Sequence, residues 1–419
     1  MVVGVLRFLV KIKLLRTRPK IVGITGSIGK TSTKEAVYHV LSEKYTTYRS
    51  AKSLNTDIGL LLSVLEQSSG FGSPIAWAKI VLGATWNAFF GRRYEYLVLE
   101  YGADKPGDIR ELVAVVKPHI AIITHITLVH QAEGQFKNEE AVFNEKKRLV
   151  TSLGSDDCAI LNAGDRFLKE LEGTLIAKTL WWNKGARHTD IWATGTQLTE
   201  RGFEATIHDA HEAHHAHFPI TGTYHIDLFL PALLVGQIAG IPLKAGIHAL
   251  ETKYRLPPGR MSIIEGVHGT TLLDSSYNAS PEAVREALKL LQHFPGERKI
   301  AVLGTMNELG GASLSAHHKI AEYLGPWVDL LVTVGDGAAE IGVAALKNGF
   351  HKGTLRTCTT AISAAAVLKE FGLKKGDVIL FKGSQNNVRL ERAVKLLMAH
   401  PHEAKNLLCR QEAIWESIQ

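Results

Sequence analysis

Short apolar runs alternate with helical patterns along most of this chain. Apolar runs that predict buried strands lie at 21–24, 96–99, 119–124 and 159–161. Segments with helical periodicity lie between or after them, for example at 31–42, 109–116 and 139–152. This rhythm is typical of βαβ units, in which helices cover both faces of a parallel sheet. The pattern therefore predicts an α/β fold.

The pattern changes beyond residue 180. Short alternating strands are predicted from 180 to 219, and an apolar helix from 224 to 241. Pro257-Pro258-Gly259 marks a boundary, after which a new βαβ series begins, with apolar runs at 271–273, 299–303, 330–334 and 378–381. We predict three parts, namely a basic apolar helix at 1–18, a central parallel-sheet domain at 19–256 and a smaller Rossmann-like α/β domain at 257–419.

The first 20 residues are both apolar and basic. They contain six Lys or Arg residues, ten large apolar residues and no acid. The apolar runs are too short to span a bilayer, which takes about 20 residues, and no small-residue signal-peptide cleavage site follows them. Two interpretations stay open. The helix at 1–18 either lies on an anionic membrane surface as a peripheral contact, or packs on its own domain or on a partner.

Composition narrows the class of protein. The chain has 419 residues, of which 45% are hydrophobic and 21% charged, as in soluble globular proteins. The net charge is +7, but no basic patch interleaved with aromatic residues argues for nucleic acid. Three widely spaced cysteines argue against a disulfide framework and fit a reducing cytoplasm. We expect a cytoplasmic monomer that does not bind nucleic acid.

The stretch from Ile21 to Lys34 predicts a phosphate-binding loop. A strand, a glycine-rich turn and a helix N-terminus in this order present backbone N–H groups and positive potential to an anion. Lys30 adds a charge, and the Thr31 hydroxyl is placed to hold a Mg²⁺ that bridges nucleotide phosphates. The glycines match the variant T-G-S-x-G-K-T rather than the strict P-loop. The predicted nucleotide-binding residues here are Thr25, Gly26, Ser27, Gly29, Lys30, Thr31 and Ser32.

Candidate ligand-binding residues directly follow two of the predicted strands. Glu100 closes one strand, and residues 125–130, which end on His130, follow the next. Ligands bind at the carboxyl ends of strands in parallel sheets. We therefore expect both segments at the same edge as the phosphate loop.

Several motifs in order resemble the Mur ligases, and most closely the branch of that family that adds D-Ala-D-Ala. Besides the loop, these are residues 53–59 (SLNTDIG), 100–109 (EYGADKPGDI), His130, Glu145-Lys146, Gly259-Arg260, 274–281 (DSSYNASP), 303–310 (LGTMNELG) and 382–384 (KGS). They run from about Pro19 to Val394.

The resemblance implies an ATP-dependent ligase. ATP would phosphorylate a carboxylate of a muramyl-peptide-like acceptor, and a D-Ala-D-Ala-like amine would attack the acyl phosphate, in the synthesis of peptidoglycan. It implies catalytic roles for Lys30, Glu100, His130 and Lys146. Thr31 and Glu100 would hold one Mg²⁺, and His130 and Lys146 a second, with Lys146 carbamylated so that it offers oxygen ligands.

The resemblance also assigns residues outside the loop. Arg260, Asp274, Tyr277 and Asn278 would bind the nucleotide, whereas Asn55, Lys382 and Ser384 would lie on the substrate side. Four departures from the family leave the identity of the substrate open. About 20 residues precede the loop where the family has a uridine-nucleotide-binding domain, Thr305 replaces an Asp, Asn307 replaces an apolar residue, and residues 385–387 differ from the family pattern.

Three rival functions stay open. A ligase of the folylpolyglutamate-synthase type shares the chemistry but not the motifs at 274–281 and 303–310. A P-loop kinase or NTPase would not need Lys146 or a second α/β domain. A non-catalytic nucleotide-binding scaffold would not need the retained Lys30, Thr31, Glu100, His130 and Lys146.

Overall fold

The computed structural model describes residues 2–50, 57–68, 74–127, 136–185, 189–199, 202–307, 309–384, 388–412 and 415. Two compact units form. The first comprises Met1–Leu198, Phe203–Pro219 and Thr223–Tyr254, and the second comprises Thr199–Gly202, Ile220–Gly222 and Arg255–Gln419. No helix among these described stretches is long and apolar enough to cross a bilayer.

The described strands of the first sheet are mostly parallel and have the order β2-β3-β1-β4-β5-β6-β7-β8-β9. Their bounds are β1 Lys20–Thr25, β2 Thr47–Arg49, β3 Tyr96–Glu100, β4 Ile120–Ile123, β5 Cys158–Asn162, β6 Lys178–Lys184, β7 Ile191–Thr199, β8 Gly202–Asp209 and β9 Ala213–Phe218. β1 lies between β3 and β4 and pairs in parallel with both, whereas β8 and β9 form an antiparallel pair. The central strands are largely apolar, apart from residues at their ends, because helices cover both faces.

Ten α-helices of the described chain belong to this unit. They are α1 Val2–Thr17, α2 Lys30–Leu41, α3 Asp57–Val64, α4 Pro74–Phe90, α5 Asp108–Val115, α6 Glu139–Lys146, α7 Arg148–Thr151, α8 Arg166–Lys169, α9 Ile226–Ile238 and α10 Leu243–Lys253. The segment predicted as one helix at 139–152 is divided into α6 and α7, and α4 was not predicted at all.

The N-terminal helix α1 packs on its own unit. Leu6, Leu9 and Val10 are buried against the core. Lys13, although charged, is 2% exposed, and its ammonium lies 2.6 Å from the Glu66 carboxylate. Burial lowers the pKa of Lys13, and the contact with Glu66 opposes this shift. Of the two interpretations of residues 1–18, packing on the protein itself is therefore observed, and it leaves the outward side of α1 free for another contact.

The second unit contains a six-stranded sheet of order β10-β11-β15-β12-β13-β14. Its strands are β10 Ser262–Glu265, β11 Thr271–Ser275, β12 Lys299–Gly304, β13 Leu330–Val334, β14 Leu355–Cys358 and β15 Val378–Lys382. Its α-helices are α11 Pro281–His293, α12 Ser313–Ile320, α13 Asp336–Lys347, α14 Ala361–Glu370, α15 Glu391–Leu397 and α16 Ala404–Leu407. Among the described strands of this sheet, only β10 is antiparallel to its neighbour, and an apolar core fills each face of the sheet. The predicted α/β class with two parallel-sheet units is confirmed.

Candidate active site

The loop between β1 and α2 needs glycine at two positions. Gly26 has φ +147°, and a Cβ there would lie 1.9 Å from Thr124 Oγ1. Gly29 has φ +83°, and a Cβ there would lie 2.6 Å from Leu228 Cδ2. Any other residue would therefore meet both backbone strain and a collision. The glycine spacing read from the sequence is a steric requirement of this loop.

Hydrogen bonds hold the loop against the end of β4. Thr124 donates its hydroxyl to Ile28 O at 2.6 Å, and the Ser27 hydroxyl donates to Thr127 O at 2.7 Å. Lys30 folds back over the loop, where its Nζ lies 2.7 Å from Gly26 O. A fixed loop with a lysine over it and a helix N-terminus at its end is suited to bind the phosphates of a nucleotide.

Thr31 and Glu100 come together, as expected from the position of Glu100 at the end of a strand beside the phosphate loop. Ile24 pairs with Glu100 in the sheet, and the Thr31 hydroxyl donates to Glu100 Oε2 at 3.3 Å. Glu100 is 2% exposed, and its Oε1 accepts no hydrogen bond from the described residues. A hydroxyl and a buried carboxylate at the carboxyl end of the sheet form a donor set that fits Mg²⁺.

Lys34, which sequence analysis missed, lies behind this pair. It is fully buried, its Nζ donates to Ser50 O at 2.7 Å, and it lies 3.2 Å from Glu100 Oε1, off the direction of a hydrogen bond. Glu35, 3.6 Å from the same ammonium, has a raised pKa because it is buried, although Arg49 and Lys34 oppose the shift. Lys34 therefore compensates the charge of Glu100 from inside the unit.

Lys146 is the last residue of α6 and is 1% exposed. Burial, and secondly the charge of Lys30, lower the pKa of Lys146 to about 7. The preceding Glu145 accepts from Gly107 N at 2.9 Å and Ile109 N at 2.8 Å, so it ties α6 to the start of α5. The structure thus holds Lys146 as a buried amine within the electrostatic reach of Lys30.

His130 and Asn55 lie outside the described residues, so their roles stay predictions.

The remaining loop residues predicted for the nucleotide surround this centre. Thr25, at the end of β1, is fully buried, and its hydroxyl finds no hydrogen-bond partner among the described residues. Ser32 is 8% exposed in the first turn of α2.

Across the ranges that the structure covers, no three His, Cys, Asp or Glu side chains cluster as a metal site.

In the second unit, the residues predicted for the nucleotide lie before β10 (Arg260), in β11 (Asp274) and in the turn after it (Tyr277 and Asn278). The Arg260 guanidinium lies 4.4 Å from the centre of the Tyr277 ring, and Tyr277 N donates to Gly259 O at 3.0 Å. Asp274 is fully buried, and burial raises its pKa to about 6. Its Oδ1 accepts from Ser276 N at 3.1 Å, which fixes the start of the turn.

Lys382 and Ser384 lie beneath this turn. Lys382 Nζ donates to Ser275 O at 3.3 Å and also to Asn278 O, and burial followed by the charge of Arg260 lowers its pKa to about 7. Ser384 Oγ donates to Ala279 O at 3.3 Å. Both side chains support the backbone of the turn. Their assignment to the substrate stays a prediction.

Arg410 is a second residue that no sequence motif revealed. Its guanidinium donates to Tyr277 O, and it lies 3.0 Å from the buried Glu391 carboxylate and 5.5 Å from the Tyr277 ring centre. The turn that contains Tyr277 is therefore held in place by Arg410, near the C-terminus, as well as by the sheet.

A glycine loop between a parallel strand and a helix, with Lys30, Thr31 and a strand-end carboxylate, defines a P-loop nucleotide-binding protein of the α/β class. The comparison with protein families gives the particular family. The Mur ligase middle domain matches residues 24–236, just over half of the chain, and the Mur ligase glutamate ligase domain matches residues 259–385. This chain belongs to the Mur ligase family.

Curated relatives agree with this assignment. The UDP-N-acetylmuramoyl-tripeptide–D-alanyl-D-alanine ligase of Bacillus subtilis is 27% identical over 398 residues, which cover 94% of this chain and 79% of the relative. The enzyme of that name from Escherichia coli is 28% identical over 78% of this chain and 66% of its own length.

Solved structures show the same fold. The structure of MurF from Thermotoga maritima in complex with ADP superposes with a TM-score of 0.76 at 25% identity, over 96% of this chain and 84% of that one. A MurF structure from Acinetobacter baumannii gives a TM-score of 0.78 at 24% identity, over 94% and 79%. The Mycobacterium tuberculosis folylpolyglutamate synthase with ADP gives 0.66 at 16%, which shows a shared fold alone.

Proposed function

We propose that this protein is an ATP-dependent carboxylate–amine ligase of the MurF type, which joins a D-Ala-D-Ala-like amine to a muramyl-peptide-like acceptor. The observation that carries the proposal is the Thr31 hydroxyl 3.3 Å from the buried Glu100 carboxylate, at the base of a glycine loop capped by Lys30. This arrangement is suited to bind ATP and Mg²⁺. The reaction itself is inferred from the family and from the named relatives.

The reaction brings two anions together, the acceptor carboxylate and the γ-phosphate. Lys30 and the loop N–H groups offset their charge and hold the phosphates in place. Mg²⁺ held by Thr31 and Glu100 would supply further neutralisation of the phosphate oxygens. The carboxylate oxygen attacks phosphorus and ADP leaves. The amine nitrogen then attacks the acyl carbon, the C–O bond to phosphate breaks, and the nitrogen releases a proton as the amide forms.

Lys146 fits a second Mg²⁺ only after modification, because an ammonium repels a cation. We propose that its Nζ attacks carbon dioxide, forms an N–C bond and releases a proton, which leaves a carbamate with two oxygen ligands. Burial supports this, since it favours the neutral amine that the reaction requires. A buried carbamate would then be compensated by the metal that His130 is predicted to share.

Carbamylation can be observed directly. With labelled bicarbonate, Mg²⁺ and nucleotide, we expect a carbamate carbon signal in ¹³C NMR that Lys146→Ala lacks and Lys147→Ala keeps. Short carboxylates should partly restore turnover to Lys146→Ala by filling the empty ligand positions. A parent spectrum without the signal under saturating bicarbonate would exclude the modification.

Turnover tests the proposed reaction itself. Phosphate release from ATP should require a muramyl tripeptide together with D-Ala-D-Ala, whereas a folate with glutamate should leave it at background. Lys30→Ala should lower turnover by at least about a hundredfold, because a fixed cation at the phosphates is lost. Lys20→Ala, an exposed lysine at the start of β1, is the matched control. Release with folate and glutamate alone would favour the rival ligase.

We also propose where the enzyme works. A cytoplasmic monomer, with α1 touching the inner face of the membrane, accounts for the basic and apolar composition of residues 1–18. Equal, negligible binding of the full chain and of a chain that starts at Pro19 to anionic vesicles would exclude the contact through α1.

A further inference from the structure

The outward side of α1 carries alternating apolar and basic residues. Phe8, Lys11, Leu15 and Arg18 follow one another at spacings of three and four, which places them on one face, with Arg18 directly after the helix. Phe8 is 63% exposed and Leu15 73% exposed. The opposite face holds the buried residues that attach α1 to the unit.

The outward side of α4 repeats this arrangement with larger side chains. Lys79, Leu82, Trp86 and Phe90 recur at spacings of three and four. Leu82, Trp86 and Phe90 are 72%, 67% and 70% exposed, and the rings of Trp86 and Phe90 lie 4.8 Å apart. Because Ala84 and Ala88 on the other face are fully buried, this exposure does not reflect a detached helix.

Polar contacts join the two helices. Arg16 Nε donates to Ala88 O at 3.0 Å and its Nη2 to Gly91 O at 2.7 Å, and Lys13 donates to the side chain of Asn87. We call the outward faces of α1 and α4 together the two-helix surface. It presents exposed apolar side chains from two helices that are fixed to each other and to the same unit.

Charge around the two-helix surface is predominantly positive, although the exposed Glu95 follows Arg92 and Arg93. Neither α1 nor α4 contains Asp or Glu, and Arg92 and Arg93 follow α4 as exposed residues. Among nearby acids, Glu66 is paired with Lys13, and Glu111 lies 3.0 Å from Arg7. Exposed aromatic and aliphatic side chains are thus bordered by cations.

We infer that the two-helix surface docks this protein on an anionic lipid bilayer, with Leu82, Trp86 and Phe90 of α4 entering the interface. The inference extends the contact proposed for α1 to α4 and is independent of the ligase activity. Tryptophan and phenylalanine beside lysine and arginine suit the boundary between headgroups and acyl chains. A second copy of the chain would bring like charges face to face, which disfavours a dimer through the same surface.

Vesicle co-sedimentation of the full chain tests this inference. The probes are vesicles of phosphatidylcholine alone and of phosphatidylcholine with about one third phosphatidylglycerol, at low and high salt. Three double variants are compared with the parent: Trp86→Ser with Phe90→Ser on α4, Phe8→Ser with Leu15→Ser on α1, and Ile176→Ser with Ile362→Ser as a control. Ile176 and Ile362 are 82% and 58% exposed and belong to neither helix.

We expect binding to the anionic vesicles only, weakened by salt, reduced about tenfold or more in the α4 variant and unchanged in the control. Unchanged thermal unfolding would confirm that the variants fold. Parent protein that stays in the supernatant with anionic vesicles would overturn the inference. So would an α4 variant that binds like the parent, even if the α1 variant has lost binding. A dimer in sedimentation velocity that only the α4 variant disrupts, without vesicle binding, would assign the surface to a second copy.

Discussion

Replacing Lys34 by methionine should disturb the phosphate site from behind. The ammonium is fully buried and lies 2.7 Å from Ser50 O, 3.2 Å from Glu100 Oε1 and 3.6 Å from Glu35 Oε1. Methionine keeps nearly the same volume and removes only the charge and its donors. The change leaves the buried carboxylate of Glu100 and the half-buried carboxylate of Glu35 without the ammonium that both contact.

The cost follows from that burial. Removing one partner of a buried ion pair destabilises a protein by about 3–5 kcal/mol, because the other charge remains uncompensated. We expect a loss in this range, since Glu100 is only 2% exposed and, besides its ion pair with Lys34, Thr31 is the one described hydrogen-bond donor to its side chain. Combining Lys34→Met with Glu100→Gln removes the unpaired charge, so the double variant should be more stable than the single one.

Urea unfolding of the first unit, followed by tryptophan fluorescence, measures this loss. The exposed Lys169→Met on α8 is the control and should change the free energy of unfolding by less than about 0.5 kcal/mol. A Lys34→Met variant within about 1 kcal/mol of the parent would refute the reasoning, because the ion pair would then not compensate Glu100. A double variant no more stable than the single one would refute it equally.

The phosphate loop could be predicted because its signal is local. An apolar strand, glycines at fixed positions and a helix start lie within 14 consecutive residues, and Gly26 and Gly29 are each required by their own φ and close neighbours. Glu100 could be placed at the same edge because the carboxyl ends of neighbouring parallel strands meet there. The order of the strands, with β3 between β1 and β2, has no such local signal.

Residues that act through tertiary contacts could not be predicted. Lys34 ends the Ile21–Lys34 stretch but received no role there, and Arg410 belongs to no motif. Each acquires its partner from a distant part of its own unit, Glu100 in one case and Tyr277 in the other. The sequence also does not determine whether the side chain of a strand-end residue points toward a ligand or lies beneath a turn. Lys382 follows an apolar strand like Glu100, yet its ammonium holds Ser275 O and Asn278 O.

Helix α4 was missed for a different reason. It is apolar on both faces, so it lacks the periodic polar side by which an amphipathic helix is recognised. Only the packed structure separates its buried face, with Ala84 and Ala88, from the exposed face with Trp86. The same holds for α1, where burial of Lys13 beside Glu66 shows which of its charges belong to the interior.

Three further changes have defined outcomes. Gly26→Ala should abolish ATP binding in calorimetry, because its Cβ would collide with Thr124 Oγ1, 1.9 Å away; binding of normal affinity would contradict this. Asn138→Ala removes the cap that accepts from Ala141 N at 2.8 Å and should cost about 1 kcal/mol in urea unfolding, whereas Asn138→Asp should cost little. Lys382→Met should change how stability depends on pH. Burial lowers the pKa of Lys382 to about 7 from 10.5, so between these pH values the unfolded chain binds a proton that the folded chain lacks. The parent's stability therefore rises with pH across this window, and the variant's should rise less steeply in urea unfolding at a series of pH values. Equal slopes for parent and variant would show that Lys382 keeps its proton in the folded protein.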